Sequence, residues 1–263
     1  MTKKPLLDGV SQDNSAQSFY DALASQYDKF YLDWGSAVRE EGAFLRSLLE
    51  KEGLPPPASV LDCACGVGTQ AIGLAALGYD VTASDISGGE LAEAKKRAAA
   101  QGVDIRFAQA DFRALEDVFA ENFDAVIAMD NALPHMLTAA DLSRAAASIT
   151  GRVREGGVFI ASIRDYDAIL AEKPAYSPPY VHKTEKGQRV LFQTWEWQGD
   201  SYDFVQYVID DEEEVSVSRF ACSYRATRRA ELTELLYDAG CREVEWLFPE
   251  QTGFYQPVVI GRK

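Results

Sequence analysis

The chain is poor in metal-binding residues and in positive charge. Its 263 residues include only two histidines and four cysteines, and 26 lysines and arginines stand against 41 aspartates and glutamates, for a formal net charge of −15. Such a surface repels phosphate backbones and anionic lipid head groups, so neither nucleic acid nor a membrane is expected as a partner. No apolar run approaches the roughly 20 residues that cross a bilayer.

The cysteines and histidines also lack the spacing of a metal site. Cys63 and Cys65 form a Cys-x-Cys pair, Cys222 and Cys241 stand alone, and no histidine lies at ligand spacing from them. We therefore expect no bound metal and four free thiols in a reducing compartment. The two lysines near the N-terminus precede no hydrophobic segment, which argues against a secretory signal and favours the cytoplasm.

Short apolar strands alternate with helices through the middle of the chain. We predict strands at 59–63, 80–84, 104–108, 123–129 and 157–163, with helices at 69–77, 89–101 and 139–153. This alternation is typical of βαβ crossovers and predicts a parallel sheet that is covered on both faces. Residues 15–52 have helical spacing, and three consecutive prolines at 55–57 separate them from the first strand.

The pattern changes after residue 164. Three strands, 189–197, 202–209 and 215–224, are predicted to form an antiparallel insert, with a tight turn at Gly199-Asp200 and a solvated acidic turn at 210–214. A helix follows, with Thr227 as its N-cap and Gly240 at its end. Two further strands, 243–248 and 257–262, are predicted to close the chain.

A glycine loop joins the first strand to the first helix of the parallel sheet. Gly66, Gly68 and Ala71 satisfy the loose dinucleotide-binding spacing, which by itself is weak evidence. However, Asp62 precedes the loop, and residues 60–78 contain no lysine or arginine to hold a pyrophosphate. The loop therefore favours a phosphate-free, cationic, adenosine-like ligand, which describes S-adenosylmethionine (SAM). A purely structural role for Asp62, satisfied by nearby backbone amides, stays open.

Polar residues follow the next strands at the same edge of the predicted sheet. Asp85 is placed to accept hydrogen bonds from ribose hydroxyls, Asp111 to bind the adenine amino group and Phe112 to cover the ring. Asp130 and Asn131 follow the fourth strand. Each acid alone could cap a helix, but their recurrence at successive strand ends indicates a binding site.

These motifs resemble those of a known enzyme class. The series Leu61-Asp62-x-x-Cys65-Gly66-x-Gly68, Asp85, Asp111-Phe112, Asn131-x-x-x-His135 and Gly156-Gly157 is similar to that of class I SAM-dependent methyltransferases. Residues 162–170, Ser-Ile-Arg-Asp-Tyr-Asp-Ala-Ile-Leu, resemble the segment of glycine and glycine/sarcosine N-methyltransferases that binds the substrate carboxylate through its arginine. The resemblance spans about residues 18–263.

The resemblance implies an α/β fold: a Rossmann-like, seven-stranded, mostly parallel sheet whose last strand is antiparallel, with an antiparallel β insert and an N-terminal helical arm. We expect an N-terminal arm and linker at 1–57, a cofactor-binding α/β core at 58–164, a substrate-side insert at 165–225, and a C-terminal helix and strands at 226–263.

The resemblance also implies roles for individual residues. Asn131 and Arg164 would be catalytic, and Arg164 would bind substrate together with Tyr166, Tyr224 and Tyr255. Arg39 matches the family only after a shift of one or two positions. The residues expected to bind the cofactor are Tyr20, Tyr31, Arg39, Asp62, Gly66, Gly68, Asp85, Ile86, Asp111, Phe112, Asp130 and His135.

The expected reaction is methyl transfer from SAM to the amine of a small, glycine- or sarcosine-like amino acid. Asp130 stands where the family has glycine and Asp165 where it often has asparagine, so a larger cationic amine or a hydroxyl acceptor stays open. A purely structural ion pair of Arg164 with Asp165 or Asp167 is also left open by the sequence. Two alternatives to a methyltransferase are an NAD-dependent oxidoreductase and a non-catalytic cofactor-binding protein. The chain could also form a homo-oligomer. The sequence shows no evident general base.

Overall fold

The computed structural model describes residues 15–211 and 214–263, without the side chain at position 28. The first fourteen residues of the predicted arm and two residues of the predicted acidic turn lie outside this description. The α-helices are α1 Ala16–Leu23, α2 Trp34–Lys51, α3 Thr69–Ala76, α4 Gly88–Gln101, α5 Ala139–Gly151, α6 Tyr166–Glu172, α7 Arg229–Asp238 and α8 Pro249–Thr252. Short 3₁₀ helices cover Ala24–Phe30, Leu115–Asp117 and Leu133–His135.

The strands form two separate sheets. Their bounds are β1 Ser59–Asp62, β2 Asp80–Asp85, β3 Arg106–Gln109, β4 Phe123–Ala128, β5 Val153–Ser162, β6 Tyr180–Lys183, β7 Gln188–Gln198, β8 Ser201–Asp211, β9 Val215–Arg225, β10 Glu243–Leu247 and β11 Val258–Arg262. The larger sheet has seven strands in the order β10-β11-β5-β4-β1-β2-β3. Only β11 runs against its neighbours β5 and β10. The predicted α/β fold with an antiparallel last strand is confirmed.

Both faces of the seven-stranded sheet are covered because its central strands are apolar on both sides. Leu61 and Phe159 belong to one buried cluster, and Val60 and Ile160 to another on the opposite side. Alternation of side chains along a strand sends neighbours to opposite faces, so each strand feeds both clusters. Because β1 to β5 run parallel, their carboxyl ends all reach one edge of the sheet.

The second sheet, in the order β6-β7-β8-β9, is antiparallel, as predicted for the insert. The tight turn predicted at Gly199-Asp200 joins β7 to β8, with Gly199 at φ +64°. The ring of Phe204 on β8 lies 5.4 Å from that of Phe19 on α1, so the N-terminal arm packs on the insert. The sequence did not predict β6 or α6.

The predicted helical region 15–52 is present but divided, because α2 begins only at Trp34 after its cap Asp33, whose carboxylate accepts from the Gly35 amide. One predicted helix cap was wrong. Thr227 is not the N-cap of α7, because the helix begins at Arg229 and the Arg229 amide donates to Asp167 at 3.2 Å. A carboxylate from α6 therefore takes the place of a local cap.

The N-terminal arm is fixed on the core by a close crossing of α2 and α3. A Cβ on Gly73 would lie 2.5 Å from the Val38 carbonyl oxygen, and one on Gly42 would lie 2.8 Å from Gly73. The two backbones touch, which only glycine permits. This contact brings Glu41 of α2 next to Gln70 of α3. No helix within 15–211 or 214–263 is long and apolar enough to span a membrane.

Candidate active site

A cavity of ≈ 420 Å³ lies at the carboxyl ends of the parallel strands. Its volume falls within the ~300–1,000 Å³ that small-molecule sites occupy. Most of the residues predicted to bind a cofactor meet in its wall: Tyr20, Gly66, Asp85, Ile86, Asp111, Phe112, Asp130 and His135. We call it the cofactor cavity.

The glycine loop and the end of β2 form one wall of this cavity. Gly66, at φ +51°, donates its amide to Asp85 at 2.9 Å, and the Ser87 amide donates to the other carboxylate oxygen at 2.9 Å. Burial raises the pKa of Asp85 despite these bonds. Each carboxylate oxygen keeps a lone pair for a ligand hydroxyl. Gly68, at φ +92°, lies outside the cavity wall and starts α3.

Asp62 is buried and incompletely hydrogen-bonded. The residue is 1% exposed, one carboxylate oxygen accepts from the Ala64 amide at a long 3.4 Å, and Oδ2 has no partner among the described residues. Burial raises the pKa of Asp62 to about 8. Backbone amides therefore do not satisfy this carboxyl, and a buried acceptor without a donor is costly unless a ligand supplies one.

The far end of the cofactor cavity is built by the loop after β3. Asp111 accepts two hydrogen bonds at 2.9–3.0 Å from Nε of Arg113. Burial opposes ionisation of Asp111, but the hydrogen bonds from Arg113 outweigh it and hold its pKa below the usual value. Phe112 lies beside them in the wall. The pair presents a fixed carboxylate edge and an aromatic face.

A second cavity of ≈ 1290 Å³ adjoins the first, and Tyr20, Tyr27 and Asp130 line both. We call it the acceptor cavity. At this junction the Tyr20 hydroxyl lies 3.0 Å from Nε2 of His135. Burial lowers the pKa of His135 to about 3, so the ring is neutral at physiological pH. Tyr31 lines the acceptor cavity instead of the cofactor cavity.

Arg164 lies in the acceptor cavity among neutral partners. Its guanidinium donates to the Tyr202 hydroxyl at 3.0 Å and to Gln193 Oε1 at 3.2 Å. It also lies 5.4 Å from the ring centroid of Tyr224 and at the same distance from that of Trp195. No carboxylate of the described ranges forms an ion pair with it.

The two acids that the sequence left as possible partners of Arg164 form ion pairs with a different arginine. Asp165 and Asp167 both pair with Arg229, at 2.5 and 3.3 Å. Arg164 therefore has unused capacity for an anionic ligand, since a desolvated guanidinium gains most from a carboxylate.

Asn131 positions Arg164. Its side-chain oxygen accepts from the Arg164 amide at 3.0 Å, and its side-chain amide donates to the Tyr166 hydroxyl at 3.0 Å. Asn131 is 2% exposed and lies at φ +68°. It touches the acceptor cavity, but its polar atoms are already engaged, so positioning describes it better than the predicted catalytic role.

Four predicted site residues line neither cavity: Arg39, Asp62, Gly68 and Tyr166. Arg39 projects outward, with a side chain 72% exposed that donates to Ser36 and pairs with Asp33, so its position does not support the predicted cofactor contact. Tyr166 is 1% exposed and belongs to the core, where its hydroxyl also meets that of Tyr202 at 3.2 Å. It supports the acceptor cavity from behind and does not line it.

Several polar residues of the cavities were not predicted from the sequence. Glu90, in the first turn of α4, is 1% exposed and lines the cofactor cavity. Glu41 and Gln256 line the acceptor cavity, and Gln70 hydrogen-bonds to Glu41. None of them was predicted as a site residue, and the packing of distant segments brings them together.

Comparison with known proteins agrees with this architecture. Residues 60–157 match the model of a methyltransferase domain. A glycine/sarcosine N-methyltransferase of Parasynechococcus marenigrum is 32% identical over 158 residues, 60% of this chain and 55% of that protein. The chain thus spans about half the length of that relative. A glycine/sarcosine N-methyltransferase of Aphanothece halophytica is 24% identical over 246 residues, 93% of this chain and 87% of that protein.

Among solved structures, SAM-bound CalS10, an amino pentose methyltransferase from Micromonospora echinaspora, superposes with a TM-score of 0.70. It is 18% identical, and the match covers 96% of this chain and 99% of that one. At this identity the likeness concerns the fold alone. The resemblance that the motifs predicted, to class I SAM-dependent methyltransferases and within them to glycine and glycine/sarcosine N-methyltransferases, is confirmed, and residues 60–157 carry its methyltransferase-domain match.

Proposed function

We propose that the protein transfers a methyl group from SAM to the amine of a small amino acid of the glycine or sarcosine type. The observation that carries this proposal is Arg164, a guanidinium without a carboxylate partner among the described residues, in a cavity that adjoins the cofactor cavity. An amino acid held there by its carboxylate would present its nitrogen towards the junction.

The residues of the cofactor cavity fit SAM. In the wall, Asp85 suits the ribose, and Asp111 with Phe112 suits the adenine. Asp62 does not line the cavity, but it is buried next to the glycine loop and offers an unsatisfied carboxyl oxygen for the ammonium group. Within the described wall the only lysine or arginine is Arg113, which is paired with Asp111. The acids disfavour the pyrophosphate of a dinucleotide.

The chain's own residues mainly orient the reactants. SAM supplies the methyl group: the amine lone pair forms the N–C bond while the C–S bond breaks and its electrons stay on sulfur. Arg164 would hold the acceptor carboxylate, and the buried ring of Tyr224 and the partly buried ring of Trp195 beside it would limit the access of water. Positioning of this kind contributes up to roughly 7–11 kcal/mol to rate enhancement. Neutral His135 keeps Tyr20 in place at the junction.

The size of the acceptor cavity favours a second candidate. Its ≈ 1290 Å³ exceeds the range typical of sites for drug-sized ligands, so it would admit an amine much larger than glycine. The similarity in fold to an amino pentose methyltransferase is compatible with such an acceptor. The larger amine differs from glycine in one testable respect, because a sugar amine has no carboxylate for Arg164.

The test is turnover with methyl-labelled SAM and a panel of glycine, sarcosine, dimethylglycine, longer amino acids and amino sugars. For a carboxylated acceptor, Arg164→Ala should lower kcat/KM by about 10- to 100-fold, because a hydrogen bond to a charged group contributes roughly 1.5–3 kcal/mol. Cofactor affinity should stay within threefold. Arg229→Ala, which removes the arginine that pairs with Asp165 and Asp167, is the control. Turnover of amino sugars alone, unaffected by Arg164→Ala, would favour the second candidate.

A further inference from the structure

Two carboxyl groups share one amide in the wall of the acceptor cavity. Gln70 Nε2 donates one hydrogen to Glu41 at 2.6 Å and the other to Asp130 at 2.7 Å. The Tyr255 hydroxyl donates to the other oxygen of Asp130 at 2.7 Å. Neither acid forms an ion pair with a lysine or arginine in the described part of the chain. We call Glu41 and Asp130 the carboxyl pair.

A third acceptor in the same cavity lacks a donor. Gln256 is 6% exposed and lines the acceptor cavity, and its Oε1 receives no hydrogen bond from any described residue. Leaving a buried amide oxygen unsatisfied costs roughly 1–3 kcal/mol. A ligand that brings N–H donors would remove this cost, whereas an anionic ligand would not.

The carboxyl pair reaches the place where donor and acceptor must meet. Asp130 is one of three residues that line both cavities, with Tyr20 and Tyr27. Glu41 lines the acceptor cavity but not the cofactor cavity. The pair therefore extends from the junction into the acceptor cavity, and Arg164 lies in another part of the same cavity.

We propose that Asp130 and Glu41, bridged by Gln70, bind the ammonium group of the methyl acceptor and then take one of its protons. The inference rests on the proposed function and deepens it. It identifies the substrate as a primary or secondary amine that arrives protonated. In the proton transfer an N–H bond breaks, its electron pair stays on nitrogen, and the proton ends on a carboxylate oxygen. The proton leaves to solvent after the product.

The surroundings of the pair suit this exchange. The titratable groups that face it are Asp62 and Glu40, together with the phenols of Tyr27, Tyr31 and Tyr255. Burial, followed by the charge of Asp130, raises the pKa of Glu41 to about 9, and burial also raises the pKa of Asp130. Aliphatic amines have pKa values of about 8–10. A proton therefore passes between amine and pair with little change in free energy.

The first test needs no acceptor. At pH 8 a pair with raised pKa values retains protons, and a sulfonium placed at the junction should expel them. Calorimetry in buffers of different ionisation enthalpy counts the protons released when SAM binds and when neutral-sulfur S-adenosylhomocysteine binds. Asp62 would respond alike to both ligands, because both carry the same ammonium group, so the difference between the two counts reports on the pair.

We expect the wild-type protein to release more protons with SAM than with S-adenosylhomocysteine. Asp130→Asn and Glu41→Gln should both abolish the difference, and S-adenosylhomocysteine affinity should stay within threefold in Glu41→Gln, whose residue lines only the acceptor cavity. Glu50→Gln, an exposed position of α2 that pairs with Arg46 and lines neither cavity, is the matched control and should retain it. Equal proton release for both ligands in the wild type would overturn the inference and leave SAM binding intact. Failure of both ligands to bind would instead reject the proposed function.

The second test uses an amine acceptor. Glu41→Gln and Asp130→Asn should lower kcat/KM at pH 7 by at least tenfold, and activity should recover as the pH approaches 10, because the free amine then needs no proton acceptor. A merely structural defect would lower activity at every pH. A variant profile parallel to that of the wild type therefore contradicts the inference.

Discussion

At the scale of single residues, burial of the Asp62 carboxyl, which we propose binds the ammonium group of SAM, destabilises the free protein. Its carboxyl has an unsatisfied oxygen, and burial raises its pKa to about 8. The folded chain therefore holds a proton there between about pH 4 and 8 that the unfolded chain releases. The contribution of Asp62 to the free energy of unfolding is therefore most favourable below about pH 4, and it becomes less favourable as the pH rises to about 8.

Asp62→Asn should separate stability from binding. The amide stays neutral, so the variant should unfold at a higher temperature than the wild type at pH 8, with a smaller difference at pH 5. Its affinity for SAM should fall about 10- to 100-fold, since a charge-assisted hydrogen bond is lost. Thermal unfolding and calorimetry measure both effects. Asp80→Asn, exposed at the start of β2, is the control, and undiminished SAM affinity of Asp62→Asn would contradict the assignment.

Sequence could predict the residues at strand ends but not the carboxyl pair. Parallel strands deliver Asp85, Asp111 and Asp130 to one edge whatever else the chain does. The direction in which the Glu41 side chain projects depends on how α2 is rotated about its axis. Residues two apart on a helix differ by about 200°, so the same helix that points Arg39 outward carries Glu41 into the cavity. No pattern in the sequence fixes that phase.

At the scale of elements, the crossing of α2 over α3 determines whether the carboxyl pair forms. Gly73 is in backbone contact with Val38 and Gly42, and the preceding turn of α3 carries Gln70. A side chain at Gly73 would push α2 away. The site thus depends on a contact about one helical turn from its polar groups.

Gly73→Ala should cost about 1–3 kcal/mol of unfolding free energy, because an added methyl overpacks the crossing. It should also abolish the difference in proton release between SAM and S-adenosylhomocysteine, because Glu41 moves away from Gln70. Gly151→Ala, at the end of α5 with no atom within 4 Å of the added Cβ, should be neutral or stabilising. Denaturant unfolding gives the free energies. Equal stability of the two variants would show that the crossing tolerates a side chain.

The insert shows where element prediction fails. Strands β7, β8 and β9 follow from alternation and a glycine turn, but β6 has only four residues, and three of them are exposed. Helix α6 begins two residues after Arg164, inside the predicted arginine segment, and its Asp167 caps α7 across 62 residues of sequence. Local propensity carries no information on a cap supplied by another element.

At the scale of the whole molecule, four distant segments build one site. The arm supplies Tyr20 and Glu41, the sheet supplies Asp85 and Asp130, and the insert and C-terminal segment complete the acceptor cavity. A ligand that spans the two cavities should therefore stabilise the entire fold. A ligand that fits only the glycine loop should not.

SAM at about 100 times its dissociation constant should raise the midpoint of thermal unfolding by about 5–10 °C, because binding at that ratio adds about 2.7 kcal/mol to a chain of this size. NAD at the same concentration should give no shift, since its pyrophosphate would lie over a loop without lysine or arginine and beside the buried Asp62 and Glu90. Thermal unfolding followed by fluorescence at pH 7 makes the comparison directly. A shift with NAD and none with SAM would reverse the assignment of the cofactor cavity and reinstate the oxidoreductase, whereas a shift with SAM alone ties the acidic loop to a cationic ligand without phosphate.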